Sequence, residues 1–270
     1  MNEISPSATP GSDFDWRVKL AAHQYGEAAR LHRLAVDTGL ETRDETVEVY
    51  LGWLGRLEQS LHDKAWDNAE TAAASGDLTQ PTNQDAHFPE VTEVEREATQ
   101  LAESGRALDQ RSPEKARPLL EDTSGSSPAF LGEVYAQLGT LALMEGDDAT
   151  AEARLVEAVE AHPKHLRARV NLGNLKLEAG DVEGAIALYE AVLAIDDQYP
   201  SALHNLGVAY RRSGNIAKSV RTLRRAAGAQ RRSDTRTLRQ NTKTGSPVRR
   251  AQWGWMIAIT AVLVAWLLVR

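Results

Sequence analysis

Small and apolar residues recur along the second half of the chain at a step of 34 residues. The step aligns two sets of glycines, and a leucine stands directly before each glycine of the first set. The first set is Gly139, Gly173 and Gly207, and the second set is Gly146, Gly180 and Gly214. A fixed period of this length predicts an array of stacked repeats, because each unit is too small to bury its apolar face alone.

Each unit is predicted to be a pair of short helices. In the first unit Tyr135, Leu138 and Ala142 are spaced three and four apart, as one face of a helix requires. Gly139 lies inside this helix, where glycine costs about 1 kcal/mol relative to alanine, so its recurrence indicates close approach between helices. Gly146 ends the helix, because glycine adopts a positive φ at little cost. The second helix turns a similar set inward: Ala151, Leu155 and Ala158.

The pattern resembles the tetratricopeptide repeat (TPR) family. The residues that match its signature are Tyr135, Leu138, Gly139, Ala151, Leu155, Ala158 and Pro163, then Leu172, Gly173, Ala185 and Tyr189, then Leu203, Leu206, Gly207, Tyr210, Leu223 and Ala226. The departures are Ala142, Arg169, Lys176, Val192, Asp197 and Arg231. The resemblance implies an all-α solenoid with repeats at 132–165, 166–199 and 200–233, within a domain of residues 128–233.

The first half of the chain carries no clean repeat. Residues 1–12 are polar and are expected to be disordered, without the apolar run of a secretory signal. Residues 13–127 are predicted to form degenerate TPR-like hairpins that extend the solenoid, with a separate helical bundle as the alternative. The long helical stretch 46–74 is expected to break near His62, and Val49, Trp53, Leu57 and Leu61 are expected to form its inward stripe.

Charge is distributed very unevenly along the chain. Residues 1–210 hold 37 acidic and 17 basic residues, whereas residues 211–270 hold 1 acidic and 14 basic residues. Such asymmetry favours a membrane or nucleic-acid partner at the basic end. The basic stretch has no aromatic residues to stack on bases, so we expect no nucleic-acid partner. The chain has no cysteine, which excludes disulfides and thiolate chemistry.

A transmembrane helix is predicted over residues 251–269. These 19 residues carry no charge, and tryptophans stand near both ends. Residues 234–250 form a basic juxtamembrane linker, with a short capping helix expected over 233–240. The excess of basic residues before the span places the rest of the chain in the cytoplasm, as a tail-anchored protein. Anionic lipid headgroups are the expected contact for Arg231, Arg232, Arg236, Arg239, Lys243, Arg249 and Arg250.

A concave groove is the expected partner site, because first-helix side chains line the groove in TPR arrays. The candidates are Arg167, Val170, Asn171 and Asn174 in the second repeat and His204, Asn205, Val208 and Arg211 in the third. TPR domains that bind the acidic C-terminus of heat-shock chaperones resemble one another in a clamp that falls here on Ala136, Thr140, Asn171, Ser201 and Asn205. Only Asn171 fits that clamp, so this role is not expected.

No motif for catalysis, a metal or a cofactor is found. The chain has no phosphate-binding glycine loop, HExxH sequence or nucleophile elbow. His162 and His165 stand close together in a predicted turn, but the other histidines are scattered along the sequence, so a metal site is not expected. We therefore expect no enzyme activity, with an enzyme site in 13–123 as a weak alternative.

Function follows from the anchor and the repeats together. The favoured hypothesis is a membrane-anchored TPR scaffold or adaptor that binds a protein partner on the cytoplasmic face of a membrane. The alternative is an assembly or quality-control factor for membrane or envelope complexes. Arginine outnumbers lysine 24 to 7, which favours a GC-rich genome and a bacterial plasma membrane.

Overall fold

The computed structural model describes residues 15–74, 78–82, 86–124 and 129–243. Their regular secondary structure is entirely helical: α1 Trp16–Ala21, α2 Tyr25–Asp37, α3 Glu45–His62, α4 Trp66–Ala73, α5 Val91–Asp109, α6 Pro113–Ser124, α7 Leu131–Glu145, α8 Asp148–Ala161, α9 Leu166–Glu178, α10 Val182–Ile195, α11 Pro200–Arg212 and α12 Ile216–Lys243. None of these helices is both long and apolar enough to cross a membrane. The predicted disordered segment 1–12 and the predicted span 251–269 lie outside the described residues.

The chain divides into two compact units, Met1–Ile195 and Asp196–Arg270. Within the described residues, unit 1 contains α1 to α10, which include the first two predicted repeats. Unit 2 contains α11 and α12, which form the third.

Unit 1 is a solenoid of helical hairpins. Each helix packs on the next, and α3, α5, α7 and α9 also contact one another in succession. One hydrophobic core runs from Trp16 in α1 to Leu141 in α7. The N-terminal helices therefore share a core with the first repeat.

The periodic glycines lie where helices come close. A Cβ atom at Gly139 would stand 2.7 Å from the Leu155 side chain, and one at Gly173 would stand 2.5 Å from the Tyr189 ring. Gly207 is related to Leu223 in the same way, at 2.7 Å. The close approach predicted from the spacing is confirmed. The second set of glycines ends α7, α9 and α11 with positive φ angles of 79°, 86° and 81°.

Three other local predictions concern the break after His62, the inward stripe of α3 and the capping helix over 233–240. α3 ends at His62 and α4 begins at Trp66, so the expected break is present. Val49 is 49% exposed, because the inward face of α3 is instead completed by Val47 and Tyr50. The separate capping helix over 233–240 is wrong, since α12 continues unbroken to Lys243.

A carboxylate from α5 caps the N-terminus of α7. Glu97 accepts hydrogen bonds from the backbone N–H groups of Ala129 and Phe130, at 2.6 and 2.7 Å. Burial raises the pKa of Glu97 to about 7, against the lowering effect of those two bonds. The first clear repeat is thus joined to the preceding helices by a buried polar contact as well as by the apolar core.

Candidate partner-binding groove

A groove of about 570 Å³ lies between α11 and α12 in unit 2. Its floor is apolar, and its rim carries hydroxyl, amide and imidazole groups. The lining residues are Pro200, Ser201, His204, Asn205, Leu223, Ala226, Ala227 and Gln230. The repeat spacing produces this arrangement, because Gly207 lets the two helices approach while Leu223 stands half-buried at the groove.

α12 presents an unexpected face to α11. The spacing of apolar residues in the sequence predicts an inward stripe of Ile216, Val220, Leu223 and Ala226–Ala227. Ala226 is buried as predicted, but the other buried residues of this face are Ser219, Thr222 and Ala229, while Ile216 and Val220 are 59% and 45% exposed. Ser219 can face inward because its hydroxyl donates to the Gly207 carbonyl at 2.7 Å. The stripe formed by Ile216, Val220, Leu223 and Ala227 therefore lies beside the groove, and we call it the open stripe.

Exposed arginines flank the open stripe. Arg224 and Arg231 stand four residues after Val220 and Ala227, so they lie next to these apolar residues on the helix surface. Further exposed basic residues on the two helices are Arg211, Arg212, Lys218, Arg221, Arg225 and Arg232. An apolar groove with a cationic border suits a partner that presents both apolar and acidic side chains.

The four groove candidates on α11 lie at or near this groove. His204 is exposed and Asn205 half-buried, and both line it. Val208 is half-buried and Arg211 exposed one turn or more further along the same helix. Whether these side chains contact a partner stays a prediction.

The four candidates on α9 are engaged within unit 1, contrary to the expectation of an exposed surface. Val170 is 5% exposed, so it belongs to the packed interior. Arg167 pairs with Glu133 of α7. Asn171 donates to Thr140 Oγ1 at 3.3 Å, and Asn174 accepts from the Tyr189 hydroxyl at 2.7 Å. Arg167 and Asn171 thus make contacts between the first and second repeats, and Asn174 makes a contact within the second repeat.

Only some of the residues predicted to contact lipid headgroups lie in the part of the chain that the structure describes. The side chains of Arg231 and Arg232 are exposed, and Arg232 donates to Gln198 Oε1 at 2.7 Å. The α12 backbone extends through Arg236, Arg239 and Lys243, but their side chains are outside the description. Arg249 and Arg250 lie outside the described residues altogether. Lipid contact stays a prediction.

Unit 1 holds a second candidate site, a buried polar cluster around Glu133. This carboxylate contacts Arg167, lies 3.1 Å from His165 Nε2 and accepts from Gln137 Nε2 at 2.7 Å. Gln137 also donates to the Leu101 carbonyl at 3.0 Å. Burial alone would raise the pKa of Glu133, but Arg167 and His165 lower it well below its usual range. Glu133 is therefore a buried carboxylate that stays ionised.

Three histidines extend this cluster. The ring of His62 packs edge-on against the rings of His162 and His165, with both pairs of centroids 4.6 Å apart. His162 Nε2 lies 3.3 Å from Glu58 Oε1. His62 is one of the histidines scattered along the sequence, and the fold brings it against residues about 100 positions away. No local sequence pattern links His62 to the other two histidines, although the close spacing of His162 and His165 is visible in the sequence.

The surroundings of this cluster argue against a metal ion. His62, Glu133 and His165 offer ligand atoms within 4.8 Å of one another. However, Arg167 already neutralises the Glu133 carboxylate. His165 Nδ1 accepts a hydrogen bond from Ala168 N–H at 3.2 Å, so the hydrogen of the neutral ring is on Nε2, where a metal would need a lone pair. Among the described residues these groups therefore do not suit a metal ion.

Stacked helical hairpins with 34-residue spacing define a helical-repeat protein. A family model described as TPR repeat matches residues 173–214, and one described as tetratricopeptide repeat matches residues 202–237. The two matches together cover residues 173–237, which include the whole of α11 and most of α12.

Two solved structures match this chain at low sequence identity and low TM-score. A crystal structure of MamA shares 18% identity, with 66% of this chain and 96% of that chain covered at a TM-score of 0.43. A crystal structure of YrrB, described as a TPR protein with an unusual peptide-binding site, shares 19% identity, with 75% and 93% covered at a TM-score of 0.41. No curated protein matches the sequence.

Proposed function

We propose that this protein is a scaffold that binds a protein partner through unit 2 and is held at the cytoplasmic face of a membrane by residues 251–269. The groove between α11 and α12 is the observation that carries the partner-binding part of the proposal. It combines an apolar floor, hydrogen-bonding groups on its rim and a cationic border. These are the features by which an amphipathic helix or peptide is recognised.

The partner segment that fits this surface is an acidic amphipathic helix. Its apolar side would cover Val220, Leu223 and Ala227, since these side chains follow one line along α12. Its carboxylates would meet Arg224 and Arg231 beside that line. Charge at the rim speeds encounter and sets orientation, whereas burial of the apolar stripe supplies most of the affinity.

A pair of matched variants tests the groove. Ala227→Arg places a long charged side chain in the groove, whereas Ala217→Arg makes the same change at an exposed position of α12 outside it. Proximity labelling in the native host identifies candidate partners, and their affinities are then measured with purified proteins. We expect Ala227→Arg to weaken binding at least ~10-fold, as for a blocked interface centre, and Ala217→Arg to leave it unchanged. Equal affinities for both variants contradict the proposal.

The membrane part of the proposal is supported by the sequence. Residues 251–269 form an uncharged stretch long enough to cross a bilayer, and basic residues precede it. Confinement at a membrane would raise the effective concentration of a bound partner. A chain that ends at Gly245 is expected to be recovered in the soluble fraction, with the full chain in the membrane fraction. If the shortened chain stays with membranes, the span is not the anchor.

The same labelling experiment separates the adaptor from an assembly or quality-control factor. An adaptor labels soluble proteins both as the full chain and as the chain ending at Gly245. An assembly factor labels integral membrane subunits, and only as the full chain. We favour the adaptor because unit 2 offers a water-exposed groove for a soluble segment.

A further inference from the structure

The three clustered histidines connect two parts of unit 1 that are far apart in sequence. His62 is the last residue of α3. His162 follows α8, and His165 directly precedes α9. Contact among their rings therefore joins the N-terminal helices to the turn between the first and second repeats.

The hydrogen bonds of His165 fix where an added proton must go. Its Nδ1 accepts from Ala168 N–H and thereby caps the N-terminus of α9. Its Nε2 faces Glu133 Oε2 at 3.1 Å and carries the hydrogen of the neutral ring. A second proton can bind only at Nδ1, which turns the cap acceptor into a donor that points at another donor. Protonation of His165 therefore removes the cap of α9.

Protonation of His62 is unfavourable for a different reason. Its ring lies 4.6 Å from both other rings, so an imidazolium there would face two further titratable groups. Burial lowers the pKa of both His62 and His165, and the neighbouring rings add to the shift at His62. When folding lowers the pKa of a base, the unfolded chain takes up the proton first. The stabilisation is therefore complete above about pH 6.5 and is lost as pH falls below it.

We propose that His62, His162 and His165 form an acid-sensitive latch, which holds α3 against the α8–α9 turn at neutral pH and releases the turn and the start of α9 in mild acid.

Some charged groups around the latch favour protonation of its histidines, and others oppose it. On α7, Glu133 favours a charged His165, and on α3, Glu58 Oε1 lies 3.3 Å from His162 Nε2. Arg167 on α9 opposes charge on both His62 and His165. Burial lowers the pKa of His23, before α2, and Glu58 opposes that shift. Neither carboxylate can restore the α9 cap, because the proton occupies the nitrogen that Ala168 N–H requires.

Hydrogen–deuterium exchange of the full chain measures the opening of the latch directly. Exchange is followed at pH 7.5 and 5.5 with a chelator present, with labelling times adjusted for the intrinsic pH dependence of amide exchange. We expect amides in 162–170 to exchange about tenfold faster at pH 5.5, since a protonation shifts the opening equilibrium about tenfold per pH unit. The amides of α12 should be unchanged.

Two separate variants identify the proton-binding groups. His165→Asn keeps a cap acceptor that does not titrate, and His62→Phe keeps a ring without a charge. Each variant is expected to show less acceleration of amide exchange in 162–170 at pH 5.5 than the wild type. His87→Asn, at an exposed position, should behave as the wild type. Equal protection of the wild type at both pH values overturns the proposal, and so does acceleration along the whole chain. Zn²⁺ protection of 162–170 at pH 7.5 that requires His62 would also overturn it, in favour of a metal site.

Discussion

The first and third repeats share one sequence spacing, but their second helices have very different surroundings. In α8, Leu155 is fully buried and Val159 packs on the core, while Glu152 pairs with Lys176 of α9 at 2.7 Å. The corresponding residues of α12, 68 positions later, are Leu223, Ala227 and Val220. Leu223 is half-buried, Ala227 is exposed, and Val220 is 45% exposed.

The difference separates two uses of the same repeat. In unit 1 the second helix of the first repeat packs against the second repeat, through Val159 in the core and the Glu152–Lys176 pair. In unit 2 the equivalent apolar side chains stay accessible and stand among arginines. Stability should therefore be sensitive to substitution in unit 1, whereas binding should be sensitive to substitution in unit 2.

The largest effect is expected from Glu133→Gln. This change removes the charge that balances Arg167 in a site where the two side chains are 1% and 11% exposed. An uncompensated buried charge costs about 3–5 kcal/mol in the free energy of unfolding. As a control, Glu157→Gln breaks the exposed Arg154 pair and should cost less than about 1 kcal/mol. Denaturant unfolding followed by circular dichroism measures both, and similar losses would contradict the view that the cluster stabilises unit 1.

A matched pair of glycine substitutions compares the two units directly. In Gly139→Ala the new methyl group meets Leu155, which is fully buried and cannot move aside. We expect overpacking to cost about 1–3 kcal/mol, less the gain in helix propensity. In Gly207→Ala the methyl group meets Leu223, which can shift towards the groove. The second variant should lose less stability than the first in thermal unfolding, and the reverse order would contradict the comparison.

Glu97 gives unit 1 a pH dependence of opposite sign to that of the histidines. Its pKa of about 7 in the folded chain lies above the ordinary value of about 4.5, so the folded state binds the proton more tightly. Its contribution to stability is therefore complete below about pH 4.5 and is lost as pH rises through about 7. Between pH 5 and pH 7.5 the wild type should lose stability relative to Glu97→Gln. Parallel stability curves for the two proteins would show that this carboxyl is not the cause.

The smallest effect on stability is expected from Val220→Ser in the open stripe. Val220 is 45% exposed, so its replacement should change the free energy of unfolding by less than about 0.5 kcal/mol. The same change should weaken partner binding, because it removes an apolar side chain from the open stripe that the partner helix is proposed to cover. Calorimetry with the identified partner measures this loss. A large loss of stability would show that Val220 is part of a packed core.

The sequence predicted the repeat architecture because that information is periodic. Gly139 marks a close contact between helices, and Gly146 marks the end of a helix. Both features recur at the 34-residue spacing of the repeats. The packing direction of α12 was not predictable, since Ser219 faces inward only because its hydroxyl finds the Gly207 carbonyl. The histidine cluster was missed for a similar reason. Its contacts join His62 to His165 through the stacking of whole hairpins, which leaves no local pattern.

The central claim is that the groove between α11 and α12 receives a protein partner. Its most direct test is a photo-reactive amino acid placed at position 227 in the groove, compared with the same amino acid at position 217 on the exposed side of α12. The account predicts that position 227 cross-links in the native host to a defined protein, through an acidic helical segment, while position 217 does not. Cross-links of equal yield from both positions, or from position 227 to lipid alone, would contradict it.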